Sequence, residues 1–308
     1  MKTALIFPGQ GAQVVGMGRE FYDSSPEART IFDQADTIVP GLKDVIFNGP
    51  QEKLTSTAFC QPAIFTVSMA ALSALKAHPV YKTMDVQFTC GLSLGEYSAL
   101  CAAEALSFSE TLKLVGVRSS LMEEATGLRE GAMAAVLGFE KERLIEICRE
   151  TGAEVANFNS PDQIVITGES EKVKAASAKI SEAGAKRVIP LEVSGAFHSS
   201  LMQSAAHQFK DHLRSVDLND PVFPILSNVD AVPTSNTAHI LMNLSKQITS
   251  SVQWVDSINT IAAAGVTNFL EIGPGTVLKG LIRKINRDLN VHNIQVPKDI
   301  EQLSENLR

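Results

Sequence analysis

A serine bracketed by two glycines stands at Gly91-Leu92-Ser93-Leu94-Gly95. It fits the G-x-S-x-G pattern, in which a serine sits on a sharp turn between a strand and a helix. The run 86–90 ahead of it is short and apolar, and 96–103 behind it reads as a small-residue helix. Glycines are what such a turn needs, because side chains there would keep strand and helix apart. The hydroxyl would face the positive end of the helix, and the Leu94 N–H could point at a developing oxyanion. The chemistry would be attack by an activated hydroxyl on an acyl carbon. The plainer alternative is a serine that merely caps the helix. The pentapeptide alone leaves the two level, and the strand and helix around it favour the nucleophile.

A serine nucleophile needs a base, and six histidines are available. His78 precedes Pro79 in a loop, while His207 and His212 lie in a polar helical stretch that faces water. His198 differs, since it closes Ser194-Gly195-Ala196-Phe197-His198-Ser199, a small-residue segment between an extended stretch and a helix. There the ring could be aimed into a cleft. No single carboxylate stands out as a partner for it. In α/β-hydrolases the base follows the acid late in the chain, whereas His198 is mid-chain, so an ordinary hydrolase fits poorly. Gly9-x-Gly11 is no dinucleotide fingerprint, because Val14 stands where the third glycine belongs.

The elements that must hold these residues alternate. Strand-like segments at 3–7, 86–90, 223–227 and 268–272 are interleaved with helical ones at 20–39, 62–75, 96–103, 107–126, 201–214, 237–248, 254–264 and 277–287. Pro62 suits the first turn of its helix, and Ser107 suits an N-cap. Such alternation implies an α/β fold with a mainly parallel sheet. Between them, 133–137, 141–150, 153–157, 164–167, 171–182 and 186–193 read β-α-β-β-α-β, the ferredoxin-like order. The expected architecture is a large α/β-hydrolase-like domain, 1–127 with 196–308, carrying an inserted ferredoxin-like domain at 128–195. The polar stretch after Pro297 is open between a helix and a loose tail.

Composition removes several function classes. Hydrophobic residues make up 44 % of the 308-residue chain and charged residues 20 %, as expected of a globular core. A net charge of −7 with one Trp and three Tyr argues against nucleic acid and anionic membrane as partners. The apolar run 58–77 is interrupted by Gln61, Pro62, Thr66 and Ser68, so no membrane span is expected. Cys60, Cys90, Cys101 and Cys148 show no CxxC spacing, which leaves a zinc site unsupported and suits a reduced, cytoplasmic protein.

Four segments carry a family resemblance across essentially the whole chain. Phe7-Pro8-Gly9-Gln10-Gly11-Ala12-Gln13, Gly91-Leu92-Ser93-Leu94-Gly95-Glu96-Tyr97-Ser98, Ser194-Gly195-Ala196-Phe197-His198-Ser199 and Glu271-Ile272-Gly273-Pro274-Gly275 together resemble the malonyl-CoA:acyl carrier protein transacylases. These load malonyl groups in type II fatty acid synthesis, and the acyltransferase domains of polyketide and fatty acid synthases are similar. The resemblance implies a malonyl-Ser93 intermediate formed from malonyl-CoA and passed to acyl carrier protein, with no metal or redox cofactor. It implies His198 as base, the backbone N–H groups of Gln10 and Leu94 as oxyanion hole, and Arg118 as the grip on the malonyl carboxylate. It also implies Gln247, whose backbone carbonyl would orient His198. Leu92 departs from the family, where most members have His. Acidic carrier proteins would dock on local cations, and Lys186 with Arg187, or Lys279, Arg283, Lys284 and Arg287 on one basic helix, are the candidates. The rival readings are a thioesterase or other serine hydrolase, a polyketide-pathway acyltransferase for another acyl unit, and an idle carrier-protein-binding scaffold.

Overall fold

The computed structural model describes residues 2–306. Its ten strands are β1 (Lys2–Phe7), β2 (Asp85–Gly91), β3 (Gly131–Leu137), β4 (Glu154–Ser160), β5 (Gln163–Glu169), β6 (Arg187–Pro190), β7 (Ile225–Leu226), β8 (Pro233–Thr234), β9 (Asn268–Ile272) and β10 (Asn290–Ile294). One sheet has the order β10-β9-β1-β2-β7-β8 and the other β4-β5-β3-β6. The first is parallel except where β8 pairs with β7. The second is antiparallel throughout.

A parallel sheet with helices on both faces needs apolar residues at every strand position. From Ala4 onward β1 meets this condition: Leu5 and Phe7 pack into the cluster with helices Thr57–Ala77 and Phe108–Thr126, while Ala4 and Ile6 pack with Trp254, Ile258 and Leu278. The second sheet is covered differently. Ala134, Val136, Ile164 and Ile166 face their own helices, Lys141–Thr151 and Ser170–Glu182. Met133, Ala135 and Val165 turn the other way, into the core shared with the first sheet. That second face closes over the site described below.

Several expected elements are shifted. The helix assigned from Pro62 starts at Thr57, so Pro62 lies in its second turn, not its first. The Ser56 carbonyl accepts from both Phe59 and Cys60, so a tightened first turn is already formed before the proline ring arrives. The stretch 20–39 breaks at Ser25, whose hydroxyl caps Pro26–Ile38 by accepting from Ala28. Helices Leu42–Asn48 and Gln51–Thr55 were not expected. Ser107 does form a capping box with Glu110. The strands are shorter than expected, Arg187–Pro190 within 186–193 and Ile225–Leu226 within 223–227, although Lys186 and Leu191 still donate to β3 and Pro224 accepts from β2. The basic helix is Val277–Ile285, which leaves Arg287 beyond its end. The stretch after Pro297 is helical through Asn306, with Ile300 and Leu303 buried. Thr57–Ala77 is long and apolar enough to cross a membrane, but 78 % of its most apolar window is buried inside the protein.

Candidate active site

β1 and β2 are parallel neighbours with Phe7 opposite Gly91, so Pro8–Gln10 and Leu92–Leu94 leave the sheet at the same edge. The glycines let them approach. A Cβ on Gly95 would lie 2.2 Å from the Phe7 carbonyl oxygen, and one on Gly91 would lie 2.0 Å from the Gly95 carbonyl carbon. Ser93 itself has φ 53°, a left-handed conformation that a non-glycine residue adopts only when its surroundings enforce it. Asn228 supplies that enforcement. Its Oδ1 accepts from Ser93 N at 2.6 Å and its Nδ2 donates to the Gly91 carbonyl at 2.6 Å.

His198 also has a left-handed backbone, φ 58°, which turns its ring toward the serine. Ser93 Oγ and His198 Nε2 are 2.8 Å apart. On the other side of the ring, Nδ1 lies 3.0 Å from both the Gln247 and the Ser250 carbonyl oxygens. Carbonyls only accept, so Nδ1 carries the proton and Nε2 is left to accept from the serine hydroxyl. Burial, and after it the charge of Arg118, lower the His198 pKa from 6.5 to about 4. The imidazole is therefore neutral near pH 7, the form a base requires.

Arg118, on helix Phe108–Thr126, is completely buried and not on the surface. Its Nη1 donates to Gln61 Oε1 at 2.5 Å, and its Nη2 donates to Ser93 Oγ and Gln247 Oε1, each at 3.1 Å. Its guanidinium carbon lies 5.2 Å from the Tyr97 ring centre. Burial lowers its pKa, opposed by Tyr97 and Glu96. Among the described residues no carboxylate forms a direct ion pair with it. The fork thus points at the Ser93 hydroxyl with neutral oxygens around it, an arrangement suited to holding a carboxylate.

Ser93 and His198 open onto a cleft of about 180 Å³, bounded by Gln10 and Leu92 on one side and by Asn157 and Val165 of the second sheet on the other. Gln10, Leu191, Val193 and Phe197 are shared with an adjoining groove of about 740 Å³. The Gln10 side chain accepts from Gln61 at 3.3 Å. Lys186 and Arg187 are exposed where β6 begins, a few residues before the groove wall at Leu191. Lys279, Arg283, Lys284 and Arg287 line neither cavity. Glu271, in the fourth motif, is structural: it accepts from the Leu278 and Lys279 N–H groups and anchors that helix start.

Gln61, Glu96, Asn228 and Ser250 surround the site without having been singled out from the sequence. Gln61 and Glu96 had one legible sign each, a polar residue inside an apolar helical stretch. Asn228 and Ser250 had none beyond lying in turns. Among the described residues, no group of His, Cys, Asp and Glu is arranged to hold a metal ion.

The chain is similar to known proteins along essentially its whole length. The acyl transferase domain family profile matches residues 4–306. A malonyl CoA-acyl carrier protein transacylase from Bacillus subtilis is 45 % identical over 313 residues, covering 100 % of this chain and 98 % of the relative. One from Staphylococcus aureus is 41 % identical over 311 residues, covering 99 % of each. The crystal structure of an acyl-carrier-protein-S-malonyltransferase from Bartonella henselae superposes with a TM-score of 0.95 at 40 % identity, covering 100 % of this chain and 99 % of that one. A malonyl-transacylase solved in complex with a type II PKS acyl-carrier protein gives 0.94 at 33 % identity, covering 99 % and 100 %. The chain belongs to the acyl transferase domain family and, within it, to the malonyl CoA-acyl carrier protein transacylases.

Proposed function

We propose that this chain transfers a malonyl group from malonyl-CoA to the phosphopantetheine thiol of acyl carrier protein through a malonyl-Ser93 ester. The observation that carries the reading is the crowding of three functions on one atom. Ser93 Oγ lies 2.8 Å from a neutral histidine and 3.1 Å from a buried guanidinium. His198 Nε2 takes the Ser93 proton as Oγ attacks the thioester carbon, and the backbone N–H groups of Gln10 and Leu94 receive the oxyanion. The C–S bond breaks, and His198 returns the proton to the departing CoA thiolate. His198 then takes the proton of the carrier thiol, whose sulfur attacks the ester, and Ser93 leaves with that proton. The Gln247 carbonyl holds the ring through Nδ1, and Arg118 binds the malonyl carboxylate. Nothing in this sequence of steps calls for a metal or redox cofactor.

The large unit, 1–127 with 196–308, is of the α/β-hydrolase-like kind, and 128–195 is an inserted ferredoxin-like unit. The β-α-β-β-α-β element order and the strand order β4-β5-β3-β6 support the second assignment. Lys186 and Arg187 form the favoured carrier-protein dock because they stand where β6 begins, the strand that leads into the groove wall at Leu191, and the cluster from Lys279 to Arg287 ranks behind them. Four free cysteines suit a cytoplasmic setting.

The test is intact-protein mass spectrometry after brief mixing with malonyl-CoA, using wild type and Ser93→Ala. A malonyl adduct that needs Ser93, survives in water and leaves when carrier protein is added is the expected result. Rapid release of CoA with no adduct would make the protein a hydrolase instead.

A further inference from the structure

Arg118 and Glu96 are both buried charges without a direct partner of opposite sign. Glu96 is 2 % exposed, and its Oε2 accepts from Gln247 Nε2 at 2.6 Å and from Asn228 N at 3.2 Å. Gln247 is the link between the two. Its Nε2 donates to the Glu96 carboxylate while its Oε1 accepts from Arg118 Nη2. Arg118 only donates and a carboxylate only accepts, so the two together fix which end of that amide faces the arginine, and the same Nε2 also donates to the Ser93 carbonyl at 2.9 Å. The Nε of Arg118 has no hydrogen-bond partner. The guanidinium is therefore balanced at one amide's remove by a resident anion, while its donors rest on neutral oxygens.

We propose that Glu96 is a positioning residue and the resident counter-charge of Arg118, competing through Gln247 with the substrate's carboxylate and so setting how strongly the site prefers carboxylated over plain acyl groups. The inference rests on the malonyl-transfer reading above. A negative group arriving at Arg118 raises the energy of ionised Glu96, so malonyl binding and Glu96 protonation favour each other. Burial already holds Glu96 up at about 7, against hydrogen bonds from Gln247 and Asn228 that lower it. The other groups facing it stay out of the way near neutrality. Burial raises Cys90 on β2 and Tyr97 on its own helix far above neutral, and His198 is held at about 4. Arg118 remains charged.

Glu96→Gln can place its amide oxygen where Oε2 stands and keep both hydrogen bonds, so it removes the charge while sparing the geometry. The experiment measures binding of malonyl-CoA and acetyl-CoA to Ser93→Ala and to Ser93→Ala/Glu96→Gln. The two ligands share the CoA phosphates, so the ratio of their affinities isolates the carboxylate. At about pH 8, where Glu96 is ionised, the Gln variant should raise the malonyl preference roughly tenfold. At about pH 6 the two proteins should converge. An unchanged or reduced preference at the higher pH overturns the proposal. If the variant does not fold, the Ser93→Ala protein alone decides: its malonyl preference must fall as pH rises through neutrality, and a flat ratio overturns the proposal. Failure of the transfer reading looks different, because wild type would then take no malonyl group onto Ser93.

Discussion

Ser93 and His198 hold left-handed backbones of φ 53° and 58° and meet at 2.8 Å between Oγ and Nε2. Two strained residues on separate loops converge on one hydrogen bond, and neither would keep that conformation alone. His198→Ala should therefore lower the rate of malonyl loading by about 10²–10⁴-fold, the usual worth of a general base. Single-turnover mass spectrometry checks this, and loading at the wild-type rate would remove His198 from the mechanism.

Arg118 should decide substrate choice more than rate. Arg118→Ala is expected to lower malonyl loading by about 10²-fold or more while sparing acetyl loading, because the carboxylate would enter a buried site with no cation. Arg118→Lys should recover only part of the loss, since a point charge cannot replace the planar fork. Competition between malonyl-CoA and acetyl-CoA measures both. An unchanged preference in Arg118→Ala would place the carboxylate grip elsewhere.

The pH profile follows from the His198 environment. With the ring depressed from 6.5 to about 4, it stays an available base until the pH falls near that lower value. Loading at saturating malonyl-CoA should be flat from neutrality down to about pH 5 and decline only below it. A limb centred near the ordinary histidine value would contradict the buried, Arg118-repelled ring. Stability shows no such simple trend. The unfolded chain protonates this histidine between 6.5 and about 4 before the native state does, which weakens the fold as pH falls. Glu96 acts oppositely, since its folded value of about 7 exceeds 4.5 and its contribution is lost as pH rises through that window.

Asn228 clamps the Gly91 carbonyl and the Ser93 N–H of the turn at 2.6 Å each. Asn228→Ala should reduce the loading rate about 10–100-fold through a misplaced Ser93, with little effect on malonyl-CoA affinity. Stability should fall by about 1–3 kcal/mol for the unpaired buried groups. Kinetics and denaturant unfolding on one preparation test the pair of effects, and a rate near wild type would show that the turn holds itself.

Gly95→Ala should fail earlier, at folding. The added Cβ would meet the Phe7 carbonyl oxygen at 2.2 Å, and that oxygen belongs to the central strand, where nothing yields cheaply. Thermal melting should show a loss beyond about 3 kcal/mol or no folded protein. A stable variant would mean that β1 and the helix from Gly95 can separate.

The sequence by itself determined the features whose cause is local. Glycines at 91 and 95 mark the turn around Ser93, apolar runs mark the central strands, and Ser107 with Glu110 marks a helix start, because each depends on residues adjacent in the chain. Pro62 misled for the same local reason: its ring suits a first turn, yet the helix had already begun at Thr57, which set Gln61 inside the fold beside Arg118. Residue type alone does not say that Arg118 is buried, and packing decided that. The family resemblance pointed to the Gln247 carbonyl as a rest for the His198 ring, but only the tertiary structure added the second carbonyl, at Ser250. Every residue carries a carbonyl, so no side-chain type announces that role. Likewise Gln61, Glu96, Asn228 and Gln247 come from four distant segments. Their function is to turn one hydrogen-bond polarity toward another, and that relation exists only once the segments are packed together.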